Sequence, residues 1–450
     1  MGNVFKISLA IVVAVGLSLV MHYKVPEILS VTYFDDERKE NSASNDEVIN
    51  EEVDEEIDKE DIVPDERPVV EHIPLPPQVK AIYMTSCVAG TPSFRERLVK
   101  LMEETELNAV MIDIKDYTGT ISFKPESKNW LPAWNNAKCG ARDMREFIAD
   151  LHNRGIFVIG RITVFQDPFH ADLWPHLAVK RADGVTVWRD NKGLAFIDVA
   201  ARDFWDHIIE LSVESYNLGF DELNFDYVRY PSDGNMRDMS LPLTEAGPYG
   251  NDKPANLEAF FAYLKEKLDD PTLYESVRHV NTGRDSNIPW TSADLFGMTT
   301  TNYDDLSIGQ IQERAAPYFD FIAPMVYPSH YPPNYLGLGN PNHHPYEIVY
   351  HAMRSGVERM QATTTRVEGF LHERIGTSTP PIYSKPHFGP ERFRTWIQDF
   401  QYGGTYTAKD VRAQIQASYD AGVMDWMIWS PSNNYQRDAL LPPGTLEVVQ

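Results

Sequence analysis

The chain has 450 residues, of which 42% are hydrophobic and 24% are charged, so it can bury a large core and is neither disordered throughout nor collagen-like. Its 41 basic and 66 acidic side chains give a formal net charge of −25, which opposes binding to nucleic acid and to anionic lipid headgroups. Only two cysteines occur, so the chain alone cannot build a multi-cysteine zinc site or an iron–sulfur cluster. Cys87 and Cys139 either form a disulfide or remain free thiols, because two distant cysteines carry no spacing signal.

The first predicted element is an apolar run at the amino terminus, residues 7–21, with Lys6 before it and Lys24 after it. The run is shorter than the ~20 residues that cross a bilayer squarely, but flanking apolar residues extend it. No small residues stand where signal peptidase would need them, which favours an uncleaved segment. We predict a signal-anchor transmembrane segment over residues 1–30, with the rest of the chain outside the cytoplasm. Secretion after signal cleavage is the alternative.

An acidic segment follows this run. Residues 35–71 hold 17 acidic and 4 basic side chains, and prolines punctuate the sequence from Pro64 onward. Such a segment buries too little apolar surface to offset its ordering entropy, and its charges repel one another. The composition therefore predicts a disordered, acidic, proline-rich linker over residues 31–78.

From residue 79 onward, short apolar runs alternate with segments of helical period, as in βα repeats. Strands are predicted at residues 80–86, 109–116, 157–165, 222–230, 289–296, 321–327, 395–400 and 425–430. Helices are predicted at residues 94–104, 142–154, 204–216, 257–268, 308–318, 346–360 and 408–421. This pattern predicts a (β/α)8 TIM barrel over residues 79–442 with a short C-terminal tail over 443–450; an open doubly wound sheet is the alternative. No glycine-rich nucleotide-binding loop follows any strand.

The barrel geometry selects candidate site residues, because functional groups of such barrels stand at the carboxyl ends of strands and alternate side chains point inward. Asp226 ends strand four with Asn224 and Glu222 deeper on the same face, and Asp294 lies near the end of strand five. The other candidates at the strand ends and in the loop after strand six are Asp113, Lys115, Arg161, Tyr327, His330, Trp396, Gln398 and Trp429. Burying this many charges is costly unless they pair or act, which favours a functional site.

Each candidate also has a purely structural interpretation. Asp226 can form a structural ion pair with Arg229, and Asp113 and Lys115 can neutralise each other. Trp396 and Trp429 can simply fill the top of the core. The histidines near residues 330–351 suggest a metal, but those at 343 and 344 open a helix, so we expect no metal and no cofactor.

Several strand-end segments are distinctive: IDIKD at 112–116, GFDELNFDYVRYPSDG at 219–234, SADLFG at 292–297 and APMVYPSHYP at 323–332. In this order they resemble motifs of the bacterial glycoside hydrolase TIM-barrel family formerly classed as a domain of unknown function, which is distantly similar to the α-amylase clan. The resemblance implies a carbohydrate substrate and extracytoplasmic placement. It also implies that Asp226 is a nucleophile and Asp294 an acid/base. The Ser430-Pro431 pair after Trp429 and the Val199 after Asp198 depart from the family pattern.

Glycoside cleavage needs one carboxylic acid to protonate the leaving oxygen and one carboxylate to attack or to activate water. Arg161 or Arg229 beside Asp226 would keep it ionised, whereas the apolar neighbours of Asp294 would raise its pKa. Aromatic side chains would stack on sugar rings, with Tyr303, Tyr327, Tyr331, Trp396 and Trp429 as candidates. The remaining substrate-binding candidates are Asp113, Lys115, Arg161, Arg229, His330 and Gln398.

Two other functional classes compete with this hypothesis. A metal-dependent hydrolase barrel would carry His-x-His on strand one, and residues 83–85 hold no histidine. A non-catalytic, cell-envelope glycan-binding barrel is the stronger alternative, because aromatic and acidic residues also bind glycans without cutting them. The sequence therefore favours an extracytoplasmic glycoside hydrolase and keeps the binding barrel as its alternative.

Overall fold

The computed structural model describes residues 71–274 and 287–445. The predicted anchor over 1–30, most of the predicted linker over 31–78 and the end of the predicted tail lie outside the described residues. Within the described ranges, no helix has the length and apolar character needed to cross a membrane.

Eight parallel strands close into one barrel, with each strand hydrogen-bonded to the next in chain order and the last to the first. They are β1 Lys80–Met84, β2 Ala109–Lys115, β3 Phe157–Thr163, β4 Glu222–Asp226, β5 Trp290–Phe296, β6 Phe321–Met325, β7 Arg394–Gln398 and β8 Asp425–Trp429. The TIM-barrel prediction is confirmed, and closure of the sheet excludes the open doubly wound alternative. Several predicted strands run too far at the carboxyl end, because the apolar pattern continues into loops that pack around the barrel mouth.

In the described residues, a helix of the βα repeat connects each barrel strand to the next, and shorter helices lie in the loops. The helices of the repeat are α1 Pro92–Glu103, α2 Met144–Asn153, α3 Arg202–Leu218, α4 Lys253–Leu268, α5 Gln312–Ala315, α6 Pro345–Gln361 and α7 Ala408–Asp420. Helix α2 buries Met144, Phe147, Ile148 and Leu151, the i, i+3, i+4, i+7 spacing of an amphipathic helix. Helix α7 begins with a capping box, in which Thr407 and Asp410 satisfy each other's backbone N–H groups.

Helix α5 is much shorter than the helix predicted at residues 308–318. Its first predicted turn belongs instead to a loop that starts before residue 308, in which Leu306, Ser307 and Gly309 have φ angles of 51°, 60° and 86°. The Gln310 side chain accepts a hydrogen bond from the backbone of Phe296 at 2.9 Å and so ties this loop to the end of β5. The apolar residues of this loop, Leu306 and Ile308, line the cavity described below instead of forming the buried face of a helix.

Two long loops at the carboxyl end of the barrel pack together as one wall. Residues Lys180–Arg181, after β3, pair antiparallel with Met239–Ser240, after β4. The buried Asp198 side chain accepts hydrogen bonds from the backbone N–H groups of Leu243 and Thr244, which fixes the second loop against the first. A separate three-stranded sheet, Thr364–Thr365, Glu373–Ile375 and Ile382–Ser384, lies between α6 and β7.

The packed part of the chain begins before the predicted domain boundary at residue 79. His72 is 3% exposed, and its Nδ1 lies 3.2 Å from Oδ1 of Asp221, the residue before β4. The backbone of Ile73 donates to the same oxygen at 3.1 Å, and His152 holds the other oxygen at 2.8 Å. The last residues of the predicted linker are therefore part of the barrel's amino-terminal end.

Cys87 and Cys139 form a disulfide, with 4.7 Å between their Cα atoms. The bond joins the short helix after β1, Ser86–Ala89, to the loop that follows β2. It therefore crosslinks two loops at the carboxyl end of the barrel, and the alternative of two free thiols is wrong.

Candidate active site

A cavity of about 360 Å³ opens at the carboxyl end of the barrel. Its position agrees with the rule that TIM-barrel sites form where the strands end. Among the predicted site residues, the ones that line it are Arg161, Asp226, Arg229, Asp294, Tyr327, His330 and Trp429. Most of the candidates that were selected by the alternation of side chains along the strands therefore line one cavity, including both predicted catalytic carboxyl groups.

Asp226 is the last residue of β4 and is paired with Arg161 of β3. Arg161 Nη2 lies 2.5 Å and its Nε 3.0 Å from Asp226 Oδ2. The other oxygen accepts a hydrogen bond from the backbone N–H of Tyr227 at 2.5 Å. Tyr227 has a φ of 51°, so the chain turns sharply at the strand end and leaves the carboxylate at the cavity wall. The sequence left open whether Arg161 or Arg229 lies beside Asp226, and in the structure Arg161 does.

Asp294, on β5, lies next to Asp226 and is only 1% exposed. Its Oδ1 accepts two hydrogen bonds, from Trp396 Nε1 at 2.7 Å and from Asn224 Nδ2 at 2.9 Å. Burial, and secondly the charge of Asp226, raise the pKa of Asp294 well above its ordinary value, which is the predicted direction. Because both donors occupy Oδ1, the acid proton belongs on Oδ2, which lies 3.9 Å from Nε of Arg161.

Asp113 does not line the cavity but supports Arg161 from below. Arg161 Nη1 donates to its Oδ1 at 2.7 Å, and the Tyr83 hydroxyl donates to its Oδ2. Burial raises the pKa of Asp113 to about 6. Tyr83 also stacks on Trp429, with ring centres 4.0 Å apart. Asp113 therefore orients the guanidinium that contacts both cavity carboxyl groups.

Lys115 was predicted to face the barrel interior, and this prediction is wrong. A β-bulge interrupts the pairing of β2 and β3 between Asp113 and Lys115, so the two-residue alternation of side chains fails there. Lys115 Nζ instead lies 2.8 Å from Oδ2 of Asp167, with both side chains fully buried, and 5.8 Å from the ring centre of Phe204 on α3. The suggested Asp113–Lys115 pair therefore does not form, since each has another partner.

Two further predictions about polar residues need correction. Arg229 does line the cavity, but its Nη1 donates to the carbonyl of Tyr230 and to Ser232 Oγ, both at 3.0 Å, rather than to Asp226. Gln398 does not line the cavity: its Oε1 accepts from the Ser329 backbone at 3.2 Å. Its Nε2 donates to the carbonyl of residue 400 at 3.0 Å. Gln398 thus connects the loops after β6 and β7 instead of meeting a substrate.

The aromatic candidates divide into three groups. Trp429 and Tyr327 line the cavity beside His330, and Tyr327 and His330 have ring centres 5.3 Å apart. Trp396 has no exposed surface, so its role is to donate to Asp294 rather than to stack on a sugar. Tyr303 and Tyr331 do not line the cavity.

Part of the cavity wall, and the Asn224 side chain that supports Asp294 from outside the cavity lining, were not assigned a role from the sequence. Asn224 was placed inward but given no role, although it donates to the buried acid. Tyr227 was not selected at all, because its orientation depends on a left-handed backbone angle. The apolar wall consists of Phe296, Met298, Leu306, Ile308 and Met325. The spacing of Leu306 and Ile308 in the sequence does not indicate that they line a cavity.

No group of three or more His, Cys, Asp or Glu side chains in the described ranges is arranged to hold a metal ion. The chemical groups that line the cavity are two carboxyl groups, two guanidinium groups, an imidazole, the Ser232 hydroxyl, aromatic rings and apolar side chains.

The chain matches the model of a family described as "Putative glycosyl hydrolase domain" over residues 81–435. The chain belongs to this family. The match runs from β1 past β8 and so includes every residue of the cavity. Membership in the glycosyl hydrolase family agrees with the resemblance found in the strand-end motifs.

Solved structures with a similar fold include the PgaB (BpsB) glycoside hydrolase domain from Bordetella bronchiseptica. The two sequences are 14% identical. The match covers 81% of the present chain and 99% of the PgaB domain, and its TM-score of 0.52 shows a shared fold. A hypothetical protein from Ruminiclostridium thermocellum is 32% identical, covers 42% of this chain and 93% of its own, and has a TM-score of 0.36. No curated protein matches the chain.

Proposed function

We propose that this protein hydrolyses glycosidic bonds of a polysaccharide or oligosaccharide, with Asp226 as nucleophile and Asp294 as acid/base. The observation that carries the proposal is the pairing of two carboxyl groups at the ends of adjacent strands in one cavity, in unlike environments. Asp226 contacts the Arg161 guanidinium through two nitrogens, whereas Asp294 is buried with a raised pKa. Glycosidases need this division between an anionic carboxylate and a protonated acid.

In the first step, Asp226 Oδ1 or Oδ2 attacks the anomeric carbon while the proton on Asp294 Oδ2 moves to the leaving oxygen. The bond to the leaving group breaks, and a glycosyl ester forms on Asp226. The ester carries no charge, so the repulsion that helped to raise the pKa of Asp294 disappears. Asp294 can then remain ionised and accept a proton from the water that hydrolyses the ester.

The contacts of Arg161 support a double-displacement mechanism with retention of configuration. Its Nε lies 3.0 Å from Oδ2 of Asp226 and 3.9 Å from Oδ2 of Asp294. Two oxygens at these distances from one nitrogen lie closer together than the carboxyl groups of most inverting enzymes, which leave additional room for a water molecule.

A screen of the purified full-length protein against cell-envelope and plant polysaccharides, with product analysis by mass spectrometry, tests the proposal. We expect Asp226→Asn and Asp294→Asn each to abolish turnover while the fold stays intact. Asp399→Asn is a matched control, because Asp399 also follows a strand end and is buried but lies outside the cavity lining. Full activity of both site variants would refute the assignment. Glycan binding without turnover by the native protein would support the non-catalytic binding barrel.

We further propose that the protein acts outside the cytoplasm, held to the membrane by an uncleaved anchor at residues 1–30. The apolar run, the acidic linker composition and the Cys87–Cys139 disulfide support this placement, since disulfides persist in oxidising compartments. Cell fractionation with sequencing of the amino terminus tests it. A soluble form that starts near residue 31 would favour secretion after signal cleavage.

A further inference from the structure

Among the residues that the structure describes, Arg229 has no acidic partner, unlike the other cavity arginine. Arg161 lies within 4 Å of Asp113, Asp226 and Asp294. Arg229 forms no ion pair with any carboxylate of the described residues, and its two hydrogen bonds go to a carbonyl and a hydroxyl. The cavity therefore holds one neutralised cation and one whose charge is uncompensated.

The unused edge of the Arg229 guanidinium is available to a ligand. Only Nη1 has hydrogen-bond partners within the described part of the chain, so Nη2 and Nε are free. The guanidinium carbon lies 4.8 Å from the ring centre of Tyr227 and 5.9 Å from that of Phe196. Aromatic rings contact the face of a guanidinium and leave its edge donors free. Paired edge donors match the two oxygens of a carboxylate, sulfate or phosphate group.

The charges around Arg229 do not supply the missing anion. Asp190 Oδ1 accepts from the backbones of Lys192 and Leu194 at 2.8 Å. Asp233 Oδ1 accepts from Asn191 Nδ2 at 2.6 Å and from its neighbouring backbone. Lys192 adds a second exposed cation on this side and forms no ion pair in the described ranges. Burial, and secondly Lys192, lower the pKa of His330, a residue of the cavity wall.

We propose that the glycan bound in this cavity carries an oxyanion substituent and that Arg229 binds it through Nη2 and Nε. The proposal deepens the proposed function and depends on it only in taking the ligand to be a glycan. The hydrogen bonds from Nη1 to residues 230 and 232 would by themselves be sufficient for a purely structural role of Arg229. A partly buried cation without a counter-ion is costly, and an anionic sugar would remove that cost.

The test compares binding of matched sugars to the full-length protein. Uronic-acid, sulfated and phosphorylated oligosaccharides are each paired with the neutral sugar made by carboxyl reduction, desulfation or dephosphorylation. At low ionic strength we expect at least one anionic sugar to bind at least about tenfold more tightly than its neutral counterpart. The arm that shows this preference identifies the class of oxyanion.

Substitutions at Arg229 then assign the preference to this side chain. Arg229→Gln should remove it while leaving the affinity for the neutral sugar within about twofold, and Arg229→Lys should restore part of it. Arg189→Gln is the control, since Arg189 belongs to the same wall but pairs with Asp172 at 2.5 Å and lies outside the cavity lining. Equal loss of both sugars in Arg229→Gln, or loss of the preference in Arg189→Gln, would overturn the proposal.

The outcomes separate this inference from the proposed function. Selective binding of an anionic sugar without hydrolysis would support the Arg229 inference and refute the hydrolase proposal. Hydrolysis of neutral glycans that needs both Asp226 and Asp294, with no preference for anionic sugars in any arm, would refute the Arg229 inference alone.

Discussion

The barrel interior contains two clusters of carboxyl groups around an arginine, and they differ in whether a cavity lies beside them. The mouth cluster, Asp113, Arg161, Asp226 and Asp294, borders the cavity. The floor cluster, Glu222, Arg394 and Asp425, lies at the amino-terminal ends of three strands. Arg394 Nη1 donates to both oxygens of Glu222, and neither side chain has exposed surface. The floor arginine also lies 3.8 Å from the ring centre of Phe321.

The two clusters show that buried ion pairs alone do not identify a catalytic site. A continuous hydrogen-bond path even joins them: Asn224 bridges Asp294 and Ser292, and Ser292 Oγ donates to Glu222 at 2.7 Å. What distinguishes the mouth cluster is a cavity beside two carboxyl groups that share one guanidinium. We therefore expect mouth substitutions to change chemistry and floor substitutions to change stability.

The largest expected effect is at the nucleophile. Asp226→Ala should lower kcat by ~10³-fold or more, because the covalent step loses its attacking oxygen. Azide should restore turnover by occupying the vacated space and should yield a glycosyl azide of inverted configuration. Trapping of a glycosyl adduct on Asp226 in the native enzyme provides an independent check. If azide fails to rescue Asp226→Ala but rescues Asp294→Ala with inversion, the two roles are exchanged.

The floor cluster should respond in the opposite way. Glu222→Gln leaves the Arg394 side chain, which has no exposed surface, without its main counter-charge, so the free energy of unfolding should fall by about 3–5 kcal/mol while the folded enzyme keeps its kcat. Denaturant unfolding measures the first quantity and initial rates the second. In the double variant Glu222→Gln/Arg394→Met the loss should be smaller, since no buried guanidinium is left without its main counter-charge. A catalytic defect without a stability defect would contradict this separation.

The hydrogen bonds to Asp294 should tune its acidity. Donation from Trp396 Nε1 stabilises the carboxylate form, so Trp396→Phe should raise the pKa of Asp294 further. A general acid works while protonated, and activity is lost as pH rises through its pKa. The alkaline limb of kcat/KM should therefore move to higher pH in Trp396→Phe. A limb that stays in place or moves to lower pH would show that another group sets it.

The smallest effect is expected at the amino-terminal end of the barrel, where His72 and Ile73 bind Asp221. Deletion of residues 35–70 should leave Tm unchanged, because that segment is acidic and poor in large apolar groups. Extending the deletion to residue 74 should cost about 1–3 kcal/mol by leaving a buried Asp221 oxygen unsatisfied. Equal Tm values for the two deletions would mean that this contact adds no stability.

Much of the site could be predicted from the alternation of side chains along each strand. Asp226, Asp294 and Arg161 reached the cavity because an uninterrupted strand alternates its side chains between two faces. The same rule failed at Lys115, since a β-bulge adds one residue without any mark in the sequence. Gln398 shows a different limit: it follows the predicted parity along β7, but its side-chain oxygen and nitrogen form hydrogen bonds with the neighbouring loops.

The sequence by itself determined the barrel, its approximate strand positions and the two strand-end carboxyl groups, because these depend on local periodicity and chain order. Only the tertiary structure decided which cation meets which acid. Arg229 is three residues from Asp226 yet does not contact it, whereas Arg161 does from another strand, across 65 positions. Trp396 reaches Asp294 across 102 positions. Such contacts arise from the closure of the barrel and the packing of its interior, and neither can be predicted from local sequence patterns.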